Sequence, residues 1–527
     1  MLRVSLQYSL LSVTAALATA LVIGCGKDSS QDPQRALTTE VTAISKNDRE
    51  PIRTIDHWVP HVSTAVYAPD AAGTLQLTGE QVKLFMREKV GRGLRVDGEG
   101  DNRGEGSGDR VDQKARLPAV LFLPSATQPA VPLYDLPFTE AKGESYNWMT
   151  YLAEAGFDVF AMELTGYGLS PRPHMDYSCN ALSGQQTLLK NPCTQPIDLK
   201  RWYPYKLAIQ SDWEEIDTVI DYIRELRGVD KVSLIGWSRG GPRVGGYAAQ
   251  SQYAGKVEKL VLYSPAMYDH DGPSEPFRDY LDGKGHLKRP ERGTLMQLGT
   301  VAGFEANWAR QLAVSRASPS CGDPMPPESK TGERIVDVIE SGILESDPVG
   351  STWAKTPLDP PKNLLYPEDL TNPNGHRVWR APVQNTLWGW NWEAVKKIRA
   401  PTLIIRGEND DQAPFEPQRV LFEDLGADQP VREGESDKDT ESDQKRFGKV
   451  FVRVACAGHQ LMFERQHMRL LEASKEWLRD ASYAGHHSGS FCVDTTVKGK
   501  RRVNRAPLDA GNCSFNVSEE DVQTDLR

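Results

Sequence analysis

Several things are scarce in this chain. Only 10 of its 527 residues are histidine and 7 are cysteine, and no metal-ligand spacing, phosphate-binding glycine loop or redox motif is found among them. No metal or other cofactor is therefore implied. Positive charge is also short: the formal net charge is −10 and no Lys/Arg run offsets it, which argues against a nucleic-acid partner. The N-terminal apolar run, from about Ser9 to Gly24, falls short of the ~20 residues a membrane span requires. What is present is length, enough for one large α/β domain with a substantial insertion or for two domains.

The most informative stretch is GWSRGG, residues 236–241, placed between the apolar run VDKVSLI and the helix-compatible PRVGGYAAQSQY. A sharp turn from strand to helix needs small neighbours, and Gly236 and Gly240 flank Ser238. Upstream, QSDWEEIDTVIDYIRELRG carries Trp213, Ile216, Val219, Ile220, Ile223 and Leu226 at helical spacing, with Ser211 and Glu214 in capping-box register and Gly228 as a stop. Helix, strand, serine turn and helix follow in the order of a doubly wound parallel sheet. The plainer reading is a serine in an ordinary βα loop.

The G-x-S-x-G turn in this setting resembles the nucleophile elbow of the α/β-hydrolase family. LAEAGFDVF followed by GYGLS strengthens the resemblance, because the family's third and fourth parallel strands read this way. The resemblance implies a mostly parallel, doubly wound sheet with a cap inserted after the sixth strand. Strands are expected at STAVYA, EQVKLFMREKV, Ala119–Leu123, FDVFAMEL, VDKVSLI, KLVLYSP, APTLIIRG and KVFVRVA, with helices over Trp148–Ala155 and HMRLLEASKEWLRD.

The expected organisation is a signal peptide over 1–24, a polar linker over 25–56, and a first core part over 57–267. A cap over 268–395, a second core part over 396–480 and a polar cysteine-containing tail over 481–527 complete it. The glycine-rich segment Gly91–Arg116 and the acidic GESDKDTESDQKR read as loops. The cap region holds Trp308, Trp353, Trp379, Trp388, Trp390 and Trp392, half of the chain's tryptophans. For any one of these, a place in the cap's own core is a better expectation than a place against substrate.

The N-terminus reads as an export signal, and Leu21-Val22-Ile23-Gly24 before Cys25 resembles the bacterial lipobox. It implies a lipidated Cys25 tethering the protein to a membrane, periplasmic or at the cell surface; the alternative is ordinary secretion. Six further cysteines suit an oxidising compartment. Fifteen pairings are open, with Cys179–Cys193 and Cys492–Cys513 preferred as short loops, leaving Cys321 with Cys456. Asn512 and Asn516 stand in glycosylation sequons, which matter only in a eukaryotic secretory pathway.

A serine hydroxyl needs a base within reach and a third group to orient it. The family order is Ser, acid, His. It implies Ser238 as nucleophile, Asp410 in the G-E-x-D turn as acid, and His459 in the AGH turn as base. Asp411 is the neighbouring alternative, Asp269 and Asp271 are the alternatives after the sixth strand, and His467 is read as structural. The oxyanion donors implied are the backbone N–H groups of Arg239 and of Ser125 or Ala126, with Ala126 favoured. Here Pro124-Ser125 stands where the family has His-Gly.

The expected activity is hydrolysis of a small-molecule carboxylic ester, apolar in part, through an acyl-enzyme. An acyltransferase or peptidase could use the same three residues, carbon–carbon bond hydrolysis is a further branch, and a non-catalytic surface lipoprotein is the reading from another class.

Overall fold

The computed structural model describes residues 39–41, 52–65, 79–91, 117–173, 175–193, 209–274, 296–356, 364–366, 375–383, 388–428, 447–494, 502–508 and 513. The expected signal peptide, Cys25, the acidic loop, both sequon asparagines and all but the first residue of the glycine-rich segment lie outside them.

Thirteen strands occur among the described residues: β1 (Thr39–Val41), β2 (Arg53–Val62), β3 (Gln81–Val90), β4 (Ala119–Leu123), β5 (Asp158–Met162), β6 (Val232–Trp237), β7 (Val257–Tyr263), β8 (Met296–Thr300), β9 (Val378–Pro382), β10 (Thr402–Gly407), β11 (Lys449–Val454), β12 (Ser488–Asp494) and β13 (Arg502–Arg505). Eleven form one sheet in the order β1-β2-β3-β5-β4-β6-β7-β10-β11-β12-β13. From β5 to β12 every pairing is parallel, while β1, β2, β3 and β13 run antiparallel to their neighbours.

The parallel strands are mostly apolar and mostly buried because both faces are covered. On β6, Ile235 and Trp237 face one layer and Val232 and Leu234 the other, the two-residue period of a pleated strand. One layer contains α1 (Val131–Tyr134), α2 (Trp148–Glu154) and, near the C-terminus, α9 (His467–Asp480). The opposite layer contains α3 (Gln210–Arg227), α4 (Gly240–Ala249), α7 (Trp392–Val395) and α8 (Phe415–Asp424). Helix α3 stops at Gly228, whose φ of 61° is left-handed, as its sequence predicts. Its start differs from the expected capping box, because the helix already includes Gln210 and Ser211 lies inside its first turn.

Between β7 and β10 the chain leaves the large sheet. There β8 pairs antiparallel with β9, and α5 (Val301–Ala317) and α6 (Ile335–Glu345) pack on the α2/α9 side. Met296, Leu298 and Val378 of the small sheet share a separate core with Met175, Ala181 and Leu189, from the segment after β5 that Cys179–Cys193 closes. That segment therefore packs with the excursion although it lies within the expected first core part.

Three further expectations are corrected. The polar linker expected to run to residue 56 already contains β1 and the start of β2, and β2 ends at Val62, before the expected strand STAVYA begins at Ser63. Its buried face carries Ile55, His57, Val59 and His61, so the histidines masked the alternation; His57 Nε2 meets Glu88 Oε2 at 2.8 Å and His61 Nδ1 meets Thr218 Oγ1 at 2.9 Å. The end of the expected cap belongs with the body: Trp388 packs at a steep angle on Trp213, ring centres 5.0 Å apart, and the Trp390 ring fills the space a side chain on Gly245 of α4 would need. The expected polar tail contributes β12 and β13 to the large sheet, with Phe491 and Val493 buried and Cys492 bonded to Cys513.

Candidate active site

Strand β6 ends at Trp237, and the next residue, Ser238, has φ 55°, in the left-handed region that costs a non-glycine residue about 1–3 kcal/mol. The surrounding backbone holds it there. Its N–H donates to Tyr263 O at 2.9 Å, and its carbonyl accepts from Gly241 N at 2.9 Å and Ala266 N at 3.0 Å. A methyl group on Gly236 would lie under 3.0 Å from the Gly240 carbonyl, so a bare backbone is required at that position. Gly240 differs from the expectation: a methyl there meets nothing nearer than 3.4 Å, whereas one on Gly241 would lie 2.7 Å from Pro265.

The expected acid and base arrive on adjacent parallel strands. Asp410 follows β10 and His459 follows β11, and His459 Nδ1 lies 2.9 Å from Asp410 Oδ2. Both are almost fully buried. The other Asp410 oxygen accepts from the N–H groups of Gln412 and Ala413, each at 3.0 Å. Burial pushes the Asp410 carboxyl up, but the His459 imidazole, their hydrogen bond and the Arg406 guanidinium outweigh it and hold the group below the ordinary carboxylate range. Asp411 is exposed and pairs with Arg310, with Nε to Oδ2 at 2.5 Å; Asp269 and Asp271 are exposed too. Of the four acids considered, the structure brings Asp410 to His459. His467 stacks on Tyr146 and its Nδ1 lies 3.0 Å from Glu464 O, a packed position.

The His459 backbone is fixed at both ends. Its carbonyl accepts from Trp237 Nε1 at 3.0 Å and Tyr263 Oη at 2.6 Å, and its N–H donates to Gln311 Oε1 at 2.5 Å. One residue earlier, Gly458 N–H donates to Glu464, whose carboxyl also accepts from Trp308 Nε1. Burial pushes that carboxyl up to about 7, against the pull of those two hydrogen bonds.

The turn after β4 contains a group that reading the sequence missed. Arg243 of α4 is fully buried, paired with Asp212 at 3.0 Å, and donates to the carbonyls of Pro124 and Ser125. Tyr167 Oη accepts from Arg243 Nη2 at 2.8 Å and donates to Ala126 O at 2.8 Å. In a trans peptide C=O and N–H point in opposite directions, so fixing the Ser125 carbonyl fixes the direction of the Ala126 N–H. The signal was one arginine in the otherwise small or apolar GGPRVGGYAA, a residue that a buried helix tolerates only when paired.

Ser238, His459, Trp237, Ser125 and Ala126 line one cavity of about 220 Å³. Its far side is built by the excursion: Leu298, Phe304 and Trp379, the last donating from Nε1 to Thr127 O at 2.9 Å. The other described lining residues include the neutral amides Gln128, Asn307, Gln412 and Gln460. Trp379 thus faces the cavity, while Trp308 is buried against Phe463 of the body and not in a core of the cap's own as expected. Arg239 is not among the lining residues, and its backbone follows directly from Ser238.

A search of the curated proteins finds no match to the chain. Among solved structures it is similar to a thermophilic esterase from Thermogutta terrifontis, at 14% identity and TM-score 0.38, covering 80% of this chain and 98% of that one. It is also similar to a bromoperoxidase from Bacillus anthracis (15% identity, TM-score 0.33, covering 76% and 97%) and to a meta-cleavage product hydrolase from Pseudomonas fluorescens (14%, 0.36, covering 76% and 96%). The sequence profile of the Alpha/beta hydrolase family matches residues 120–473, which run from β4 into the first half of α9 and span well over half the chain. With that match and a mostly parallel central sheet, the chain belongs to the alpha/beta hydrolase family.

Proposed function

We propose that this hydrolase cleaves small, uncharged carboxylic esters with Ser238 as nucleophile. The observation that carries the reading is the His459–Asp410 pair at 2.9 Å, whose histidine shares a cavity with the strained Ser238. Ser238 Oγ adds to the ester carbonyl carbon while its proton passes to His459 Nε2. The C–O bond then breaks, the leaving alcohol takes that proton, and water repeats the sequence on the acyl-enzyme. Asp410 fixes the imidazole through Nδ1 and stabilises its protonated form. The Ala126 and Arg239 N–H groups are the proposed oxyanion donors, with Arg243 and Tyr167 orienting the first.

Cavity size and lining support a compact substrate without net charge. At about 220 Å³ it lies below the range of drug-sized pockets, and its described walls combine aromatic rings with neutral amides. Cys179–Cys193, Cys321–Cys456 and Cys492–Cys513 fit an oxidising compartment outside the cytosol, and anchoring through Cys25 is proposed on the sequence alone.

Fluorophosphonate labelling with the modified residue mapped by mass spectrometry tests the reading. Adduct at Ser238, lost in Ser238→Ala, is expected, followed by turnover of short neutral esters in preference to anionic ones. A folded protein that takes no label would overturn it.

A further inference from the structure

Helix α5 lies in the excursion, not in the sheet, yet one face of it reaches both loops of the acid–base pair. Trp308, Gln311 and Ser315 sit three and four residues apart and so share that face. Gln311 Nε2 donates to Asp411 Oδ1 at 2.6 Å while its Oε1 accepts the His459 N–H at 2.5 Å. One turn on, Ser315 Oγ donates to Cys456 O at 2.9 Å and accepts from Asn409 Nδ2 at 2.8 Å. The helix therefore grips residues on either side of Asp410 and residues leading into His459.

Fit and chemistry single out Gln311. It is 1% exposed, and Gly458 makes room for it, since a methyl on Gly458 would lie 2.5 Å from Gln311 Oε1. Its amide must accept on one side and donate on the other, which neither a carboxylate nor an aliphatic chain can do. Cys321, just beyond the helix, is bonded to Cys456, so a covalent link spans the same junction.

We propose that Gln311 is a positioning residue that sets the spacing of the Asp410 turn and the His459 loop, making the excursion a working part of the acid–base pair. The inference rests on the serine-hydrolase reading. It predicts that Gln311 acts through Asp410 and His459, without touching substrate.

The test is the second-order rate of fluorophosphonate labelling at Ser238 in the full chain, measured across pH alongside the thermal midpoint. Gln311→Leu should slow labelling on the order of 10²-fold, the scale of a small misplacement of reacting groups. In Asp410→Asn the same change should add little, because both changes damage one unit. Gln311→Glu keeps the acceptor for His459 N–H but turns a carboxylate toward Asp411. It should label at an intermediate rate, with its pH profile displaced upward as the added negative charge favours the protonated imidazole. Labelling of both Gln311 variants at the wild-type rate, fully additive losses in the double variant, or losses matched by the unfolded fraction would each overturn the inference. If the wild type takes no label, or Asp410→Asn labels as fast as wild type, the serine-hydrolase reading itself fails and takes the inference with it.

Discussion

The proposed nucleophile and the proposed base are held in contrasting ways. Ser238 is fixed by backbone hydrogen bonds from its own turn and from the segment after the neighbouring strand. His459 is fixed by side chains from elsewhere in the chain, Trp237, Tyr263 and Gln311, and, through Gly458, by Glu464 of its own loop, while the Asp410 carboxylate is held by His459 and by the N–H groups of Gln412 and Ala413. A backbone-held group depends on having no side chain at a few glycines, whereas a side-chain-held group depends on the chemistry of each partner. Damage to the first should be steric, and damage to the second should be graded and sensitive to charge.

The largest expected effect is at the proposed acid. Asp410→Asn should lower kcat on the order of 10⁴-fold with the fold intact, by favouring the wrong imidazole tautomer, as steady-state kinetics on an ester would show. Arg243→Ala comes next. It removes the buried Arg243–Asp212 ion pair and takes the donor from the Pro124 and Ser125 carbonyls, so chemical denaturation should show a loss of about 3–5 kcal/mol. Gly236→Ala, which forces a methyl against the Gly240 carbonyl, should cost about 1–3 kcal/mol and slow labelling of Ser238 together with the stability loss.

Glu464 allows a charge test of the side-chain-held half. Its folded value of about 7 is raised above the unfolded ~4.3, so the stability tied to its protonated form is full below pH ~4.3 and is lost as pH rises toward 7. Both of its oxygens face N–H donors, so Glu464→Gln should cost about 1–3 kcal/mol while flattening that limb of the stability–pH curve, measured by denaturant melts from pH 4 to 8. The smallest effect should be at Asp411→Asn. It weakens an exposed ion pair but keeps an oxygen for Gln311, and activity should stay within about fivefold of wild type.

The same contrast explains what could be read from the sequence. Gly-Trp-Ser-Arg-Gly after an apolar run encodes a local geometry, and the parallel strands with their flanking helices encode local periodicity, so both were legible. Asp410 and His459 were legible as a loop acid and a loop histidine, but Gln311 and Arg243 were not, because their roles exist only once remote segments meet. β2 was obscured because its inward positions include histidines, and the ends of the insertion because tryptophans carry no sign of which core they join.

The two strands beyond α9 bear on the protein's behaviour toward its own copies. With β12 and β13 in place, β11 is hydrogen-bonded on both sides and the sheet ends in the four-residue β13, which carries two arginines. A chain cut after Arg479 would leave β11, with Val450, Phe451, Val452 and Val454 along it, as an unpaired edge offering its backbone to any passing strand. The C-terminal segment, joined through Cys492–Cys513, thus covers that edge, and shortening it should cost solubility before it costs chemistry.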